Sequence, residues 1–564
     1  MPGGLNGVEA LENQPDVFSK STTKLLDAFS GHSDPSFLPP EHETQPLKRL
    51  HNETTSVCAL PTEILSQIFL HLVTSCTEKG YSLQWDDDKD DISWMRVAHV
   101  CQRWREVAVD SPNLWSNLPL THPEAVETFI RRSKAVPLSV EYHGKDPTSQ
   151  EALVKALQSD AYRLYSLSIT ARDIKHLLSS VTGSAPFLKT LELFSWDADS
   201  LPAGFLRGGA PSLTHLQVQG RAFNWGNLPL NSGLTQLQLV QGRARVRPSC
   251  ITFLSSLHAL SSLKVLSLEQ TLPDASTAIQ VATESSLRLT LPALAHLTLH
   301  DSIQNVRHFF ENAAFPRVSD IGLTLENANE DGFQRLMKAI KTCCYNSARS
   351  GPRFNDKMEV CRFSDDGFGR DVTLRPHREA FSQTFPSLNI DFCDWGPSFE
   401  CLFSHLQAQF DFSELRRLSI GGLVALDVEQ WKTTFGGISE LKYIAFTGSS
   451  GACLLTILET LKERRPQDSD DQDAPPWFPA LTKLECRDVE FSPGVVGEDK
   501  QVLIERLSEA VGRRSERRPP LELHILTCRK FVAEDEARIH RSVPNLKLIW
   551  DGWAPRRNER WDDL

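Results

Sequence analysis

Leu188-Lys189-Thr190-Leu191-Glu192-Leu193 is followed 25 residues later by Leu213-Thr214-His215-Leu216-Gln217-Val218, the same Leu-x-x-Leu-x-Leu pattern. Alternating apolar positions send their side chains to one face of a short strand. Outward from these two, the pattern returns at Leu164/Leu167/Ile169, Leu234/Leu237/Leu239, Leu263/Leu266/Leu268, Leu294/Leu297/Leu299 and Val318/Ile321/Leu323. It continues at Phe385/Leu388/Ile390, Leu415/Leu418/Ile420, Leu441/Ile444/Phe446 and Leu481/Leu484/Cys486. Intervals between the first seven are 24, 25, 21, 29, 31 and 24 residues. A repeat of this length predicts a solenoid, each strand lying beside its predecessor and the leucines filling the interior. Apolar residues at helical spacing predict helices at 303–310, 333–340, 399–410, 454–461 and 502–511, between the strands.

This array resembles the leucine-rich repeats, which implies parallel short strands on a concave side and helices on a convex one. It departs from them in lacking the Asn that stitches successive turns: Trp196, Arg221, Gly242, Thr271 and Ser302 stand there. The gaps 318–385 and 441–481 are too long for one repeat, and polar runs at 347–356 and 468–473 read as exposed excursions. The expected fold is therefore α/β, an irregular and locally broken solenoid over 164–550. Target contacts are expected from strand residues facing away from the leucines: Glu192, His215, Gln217, Gln236, Gln238, Glu269, His296, His300, Arg417 and Tyr443. Mixed polarity without a dominant charge suits hydrogen-bonded recognition of a protein segment.

Upstream the pattern changes period. Ile64, Leu65, Ile68, Phe69 and Leu72 recur at helical spacing behind Leu60-Pro61, with Glu63 near the positive end of the helix dipole. A polar loop carrying acidic residues 86–91 follows. A second amphipathic helix is expected through Trp94, Val97, Val100, Cys101, Trp104 and Val107, and a short third one at Pro112-Asn113-Leu114-Trp115. So few residues bury little surface alone, and such broad apolar stripes call for a partner or for packing on the rest of the chain.

Leu60-Pro61-x-Glu63-Ile64-Leu65 with Ile68-Phe69, then Val97-x-x-Val100-Cys101-x-x-Trp104 and a closing Leu114-Trp115, resembles the F-box motif. That resemblance implies a three-helix domain over 58–118 that binds a Skp-type adaptor and, through it, a cullin. Leu60, Pro61, Glu63, Ile64, Leu65, Ile68, Phe69, Val97, Val100, Cys101, Trp104, Leu114 and Trp115 would be its adaptor-binding residues. The loop 73–92 is longer than the family's usual connection, an insertion that costs little entropy. Residues 1–57 read as a disordered leader, 119–163 as a linker or capping region, and 551–564 as a tail. An F-box before divergent leucine-rich repeats implies the substrate-recognition subunit of a ubiquitin ligase. The alternative is a ligase-independent scaffold in which Ile64, Ile68 and Trp104 pack inward and the helices cap the solenoid.

Composition narrows the classes. A net charge of −12 with only short basic clusters argues against nucleic acid as a partner, and no run reaches the length of a membrane span. Without a secretory leader, the 12 cysteines are expected as thiols in the cytoplasm or nucleus. No phosphate loop, nucleophile elbow or His-Glu-x-x-His occurs, so neither catalysis nor a cofactor is expected. His296 and His300 share a strand face, but no third ligand can be placed, and no metal site is expected.

Overall fold

The structure is a computed structural model. It describes residue 52 and residues 55–553, apart from 79–91, 145, 197–200, 222, 243–246, 279–287, 346–355, 368, 378–384, 394–395, 425, 449–450, 464–475, 492–499 and 516–520. Most of the leader, the acidic runs 86–91 and 468–473 and nearly all of the tail therefore lie outside the described residues. The chain divides into two compact units, one up to Ser166 and one from Leu167.

In the first unit, α1 (Thr62–Glu78) carries two adjacent apolar stripes. Leu65, Phe69 and Val73 are buried, while Ile64, Ile68 and Leu72 are exposed. The helix continues past Val73 to Glu78, into the span expected to be loop, and residues 79–91 of that span lie outside the described residues. The single second helix expected through Trp94–Val107 is instead two pieces, a 3-10 turn (Ser93–His99) and α2 (Gln102–Asp110). Between them Cys101 adopts extended backbone, φ −154° and ψ 171°, and its thiol accepts the Trp104 N–H at the start of α2. A 3-10 turn (Pro112–Trp115), β1 (Asn117–Leu118), α3 (Pro123–Arg132), β2 (Leu138–Tyr142) and α4 (Pro147–Asp160) complete the unit. Residues 119–163, read as a linker or cap, thus form two helices and a strand of the same unit, and β1 pairs in parallel with β2. They belong there because Phe129 of α3 packs edge-on against Trp115 and Trp94, at 4.9 and 6.2 Å between ring centres. Arg163 adds hydrogen bonds to the Ser133 hydroxyl and the Val136 carbonyl.

The second unit opens within β3 (Leu164–Ala171) and runs through β4 (Thr190–Ser195), β5 (His215–Gly220), β6 (Gln236–Gln241), β7 (Val265–Glu269), β8 (Leu289–Thr290), β9 (His296–Ser302), β10 (Ala313–Ala314) and β11 (Asp320–Glu326). It continues through β12 (Met358–Asp365), β13 (Arg370–Pro376), β14 (Ser387–Phe392), β15 (Arg417–Gly422), β16 (Tyr443–Thr447), β17 (Lys483–Arg487), β18 (Glu522–Leu526) and β19 (Lys547–Trp550). Every position of the eleven triplets is buried, none more than 8% exposed. Strands β4, β5, β6, β7, β9 and β11 pair in parallel in that order, and β15 to β19 do the same. The result is a long sheet with many helices, consistent with a solenoid.

The long gap after Val318 holds an insertion, not a break. β12, β13 and β14 form an antiparallel meander, with β14 parallel to β11 and β12 parallel to β15, so hydrogen bonding passes unbroken from β11 to β15. The connecting helices include α5 (Ile174–Leu178), α6 (Cys250–His258), α7 (Ile303–Glu311), α8 (Glu330–Tyr345), α9 (Phe399–Gln409), α10 (Gly451–Lys462), α11 (Lys500–Ser515) and α12 (Ala533–Ser542). Side chains of Asp173, Ser249, Ser302 and Ser398 cap α5, α6, α7 and α9, each accepting an N–H of the first turn. α7 packs on α8, α8 on α9, and α10, α11 and α12 on one another in turn. Among the described residues no helix is long and apolar enough to cross a membrane.

Candidate functional site

Two surfaces stand out, one in each unit. On the first, burial separates the thirteen residues expected to bind an adaptor. Leu65, Phe69, Val97, Cys101, Leu114 and Trp115 are core, none more than 8% exposed. They pack inside the unit and hold α1 and α2 in place. The Trp115 indole N–H donates to the Ala108 carbonyl at 2.8 Å, its ring lies edge-on to Trp94 at 5.1 Å, and the Arg132 guanidinium stacks over it at 4.3 Å. Phe69 packs on the half-buried Trp104 at 5.1 Å, and the Cys58 and Cys101 sulfurs meet at 3.7 Å. Leu60 is half-buried, and its carbonyl accepts from Arg103.

What remains accessible is Pro61, Glu63, Ile64, Ile68 and Val100. The sequence reading lacks Leu70 and Val57, which are also exposed, and did not assign Leu72 to the site. Six of the 14 exposed large apolar side chains among the described residues fall between Val57 and Val100, a density that solvated surface does not explain. Periodicity locates the broad stripe but not its division. Phe69 packs on Trp104 with Leu65 and Val73 buried on the same face, and only tertiary packing decides which half stays outside.

On the second unit, the parallel register lines up the expected target-contact residues in rows. His215, Gln236, Val265 and His296 are successive partners in one row, and Glu192, Gln217, Gln238 and Ser267 in the next. Glu269 and His300 face each other in a third. His215 Nδ1 is hydrogen-bonded to the Gln236 side chain, and its Nε2 lies 3.8 Å from Glu192. All ten are half-buried or exposed on the face opposite the leucines.

Arg417 and Tyr443 are partners on β15 and β16, but the β12–β14 meander and β11 stand between them and His300. The structure therefore makes two polar patches from one expected surface. In the second, Arg417 and Lys483 flank the Tyr443 ring at 5.6 and 5.0 Å. Glu485, 4% exposed, lies 3.0 Å from Lys483 and 2.9 Å from Arg487. Burial pushes the Tyr443 hydroxyl up to about 12, helped by the Glu485 charge, so it is a proton donor at neutral pH. Burial also works to raise the Glu485 carboxyl, yet hydrogen bonds from Lys483, Arg487 and Tyr443 outweigh it and hold the group below the usual glutamate range.

An ion pair between buried Asp301 and half-buried Arg247 holds the first patch from beneath. Asp301, 0% exposed, accepts from Arg247 at 2.6 Å, from the Asn305 side chain at 2.8 Å and from the Ser302 N–H at 2.7 Å. Arg247 also donates to the Leu272 carbonyl and the Gln270 side chain, tying consecutive coils where the expected Asn is missing.

Comparison with known proteins fits the first of these surfaces. The F-box-like family model matches residues 57–120, the segment that contains α1, α2 and the exposed stripe. No curated protein sequence matches the chain. Among solved structures, the yeast complex of Rad7 and Elc1 aligns over 78% of this chain and 94% of that one, at 12% identity and a TM-score of 0.24. Residues 57–120 are an F-box-like domain.

Proposed function

We propose that this protein is the substrate-recognition subunit of a Skp–cullin–F-box ubiquitin ligase. The F-box-like domain docks a Skp-type adaptor and, through it, a cullin, while the polar strand face, divergent leucine-rich repeats in this reading, holds a protein target. It acts by binding and carries no catalytic group of its own, in the cytoplasm or nucleus. The observation that carries the reading is the exposed Ile64/Ile68/Leu72 stripe inside the segment matched by the F-box-like family. Burying an aliphatic side chain of this size contributes about 1.5–3 kcal/mol, so these side chains are of the kind that anchor an interface.

Binding of the full chain to a purified Skp-type adaptor tests the proposal. Ile64→Glu with Ile68→Glu should weaken binding by roughly a hundredfold, since each change puts a charge where an anchor was. The same pair should leave stability within about 0.5 kcal/mol, both positions being surface. Phe69→Ala, one residue along, should do the reverse to stability and cost about 3–5 kcal/mol. Unchanged adaptor binding in the double variant would place docking elsewhere.

A further inference from the structure

His300 is the hub of a four-residue cluster that the target-binding role does not require. Its Nε2 lies 3.4 Å from a Glu326 carboxylate oxygen and 3.7 Å from the Cys393 sulfur. The three donor atoms all lie within 4.8 Å of one another. On the other side of the ring, Nδ1 lies 3.4 Å from Glu269. Glu269, His300 and Glu326 sit on three adjacent strands, β7, β9 and β11. Cys393 follows β14 and is fixed there by its N–H, which donates to the Leu325 carbonyl at 3.1 Å.

The distances from His300 Nε2 match those between ligands on one metal ion. Four donors at about 2.0–2.3 Å from a zinc ion are separated by tetrahedron edges of about 3.3–3.8 Å. Both Nε2 separations, 3.4 and 3.7 Å, fall within that span. A histidine that ligates a metal through one nitrogen generally gives the other N–H to a carboxylate, which fixes tautomer and ring orientation. Glu269 stands where that carboxylate belongs.

We infer that His300 Nε2, Glu326 and Cys393 bind a zinc-class divalent metal, with Glu269 as a positioning residue behind the imidazole. The mixed nitrogen, oxygen and sulfur set selects against magnesium and calcium, which prefer oxygen alone. Three protein ligands leave a fourth position open toward solvent, as His300 and Glu326 are each 27% exposed. That position lies on the same polar face as Gln238 and Ser267 and is open to a water or to a donor group of a bound protein. Binding displaces the Cys393 thiol proton to solvent. This inference does not rest on the ligase reading. Glu326 and Cys393 lie 26 and 93 residues from His300 and become its neighbours through the β9–β11 pairing and, for Cys393, the β11–β14 pairing across the insertion.

The test uses the full-length chain, stripped with a chelator and titrated with Zn²⁺ or Co²⁺ alone. One equivalent of Zn²⁺ should be retained, and Co²⁺ should give the ultraviolet charge-transfer band of a thiolate ligand. Cys393→Ser should abolish that band, His300→Ala should weaken Zn²⁺ binding at least a hundredfold, and Glu269→Gln should weaken it about tenfold. In the unmodified chain, Zn²⁺ should protect Cys393 from alkylation as read residue by residue by mass spectrometry, a measurement that needs no variant. A cobalt spectrum without the thiolate band, or alkylation of Cys393 indifferent to Zn²⁺, would overturn the site and leave His300 as a histidine between two carboxylates.

Discussion

Glu485 shows how a single charge is made tolerable inside the second polar patch. A carboxylate 4% exposed is costly to desolvate, and here Lys483, Arg487 and the Tyr443 hydroxyl supply the compensation. Its folded-state pKa lies below the ordinary glutamate value, so the unfolded chain binds the proton more tightly. The stabilisation is therefore fully present above the ordinary glutamate value and is lost as pH falls through the lower folded-state value. Glu485→Gln should cost about 1–2 kcal/mol at neutral pH, moderated because Arg487 is 49% and Lys483 31% exposed. The penalty should shrink as the pH is taken below the ordinary glutamate range, and denaturant unfolding at several pH values checks it. A difference that stays constant with pH would mean that packing, not charge, is lost. Glu485 reads in the sequence as one more outward strand residue, since alternation gives the face but not the depth of a side chain.

At the scale of the element, the β12–β14 meander carries the clearest lesson. The neighbouring coils announce themselves through aliphatic triplets, whereas β12 presents Met358, Cys361 and Phe363, interrupted by a bulge between Met358 and Val360. A bulge shifts the period of two that makes a strand legible, and mixed Arg and Asp around it read as loop. The break at Cys101 is the helical counterpart, a local cap overriding a continuous apolar period. What closes the meander onto β15 is Gly422. It sits at φ +64°, and a Cβ there would lie 1.7 Å from the Asp365 carbonyl oxygen, which accepts the Leu423 N–H. Both the backbone conformation and the space exclude a side chain. Gly422→Ala should destabilise the chain by about 1–3 kcal/mol. In a melting series it should act far more strongly than Gly183→Ala, where the added methyl meets nothing within 4 Å. Equal effects of the two substitutions would show that the β12–β15 junction is not constrained as described.

Across the whole molecule, the legible part of the function is the part written in local periodicity. The α1 stripe and the alternating strands can be read from the sequence because their residues are near neighbours in the chain. The metal cluster and the Asp301–Arg247 pair join residues 93 and 54 apart and depend on register. That pair also tests how the second unit distributes its stability. In a stack where each strand pairs only with its neighbours, a defect should loosen adjoining coils and leave distant ones intact. Asp301→Ala leaves the Arg247 guanidinium beside an empty buried site and should cost about 3–5 kcal/mol locally. Amide hydrogen exchange should accelerate in β7, β9 and β11, the strands that flank or carry the lost carboxylate. β16, β17 and β18, on the far side of the meander, should keep their protection, because no strand pairing connects them directly to β9. Equal acceleration in both groups would show that the unit unfolds as a single cooperative block, and the neighbour-only account of its stability would then fail.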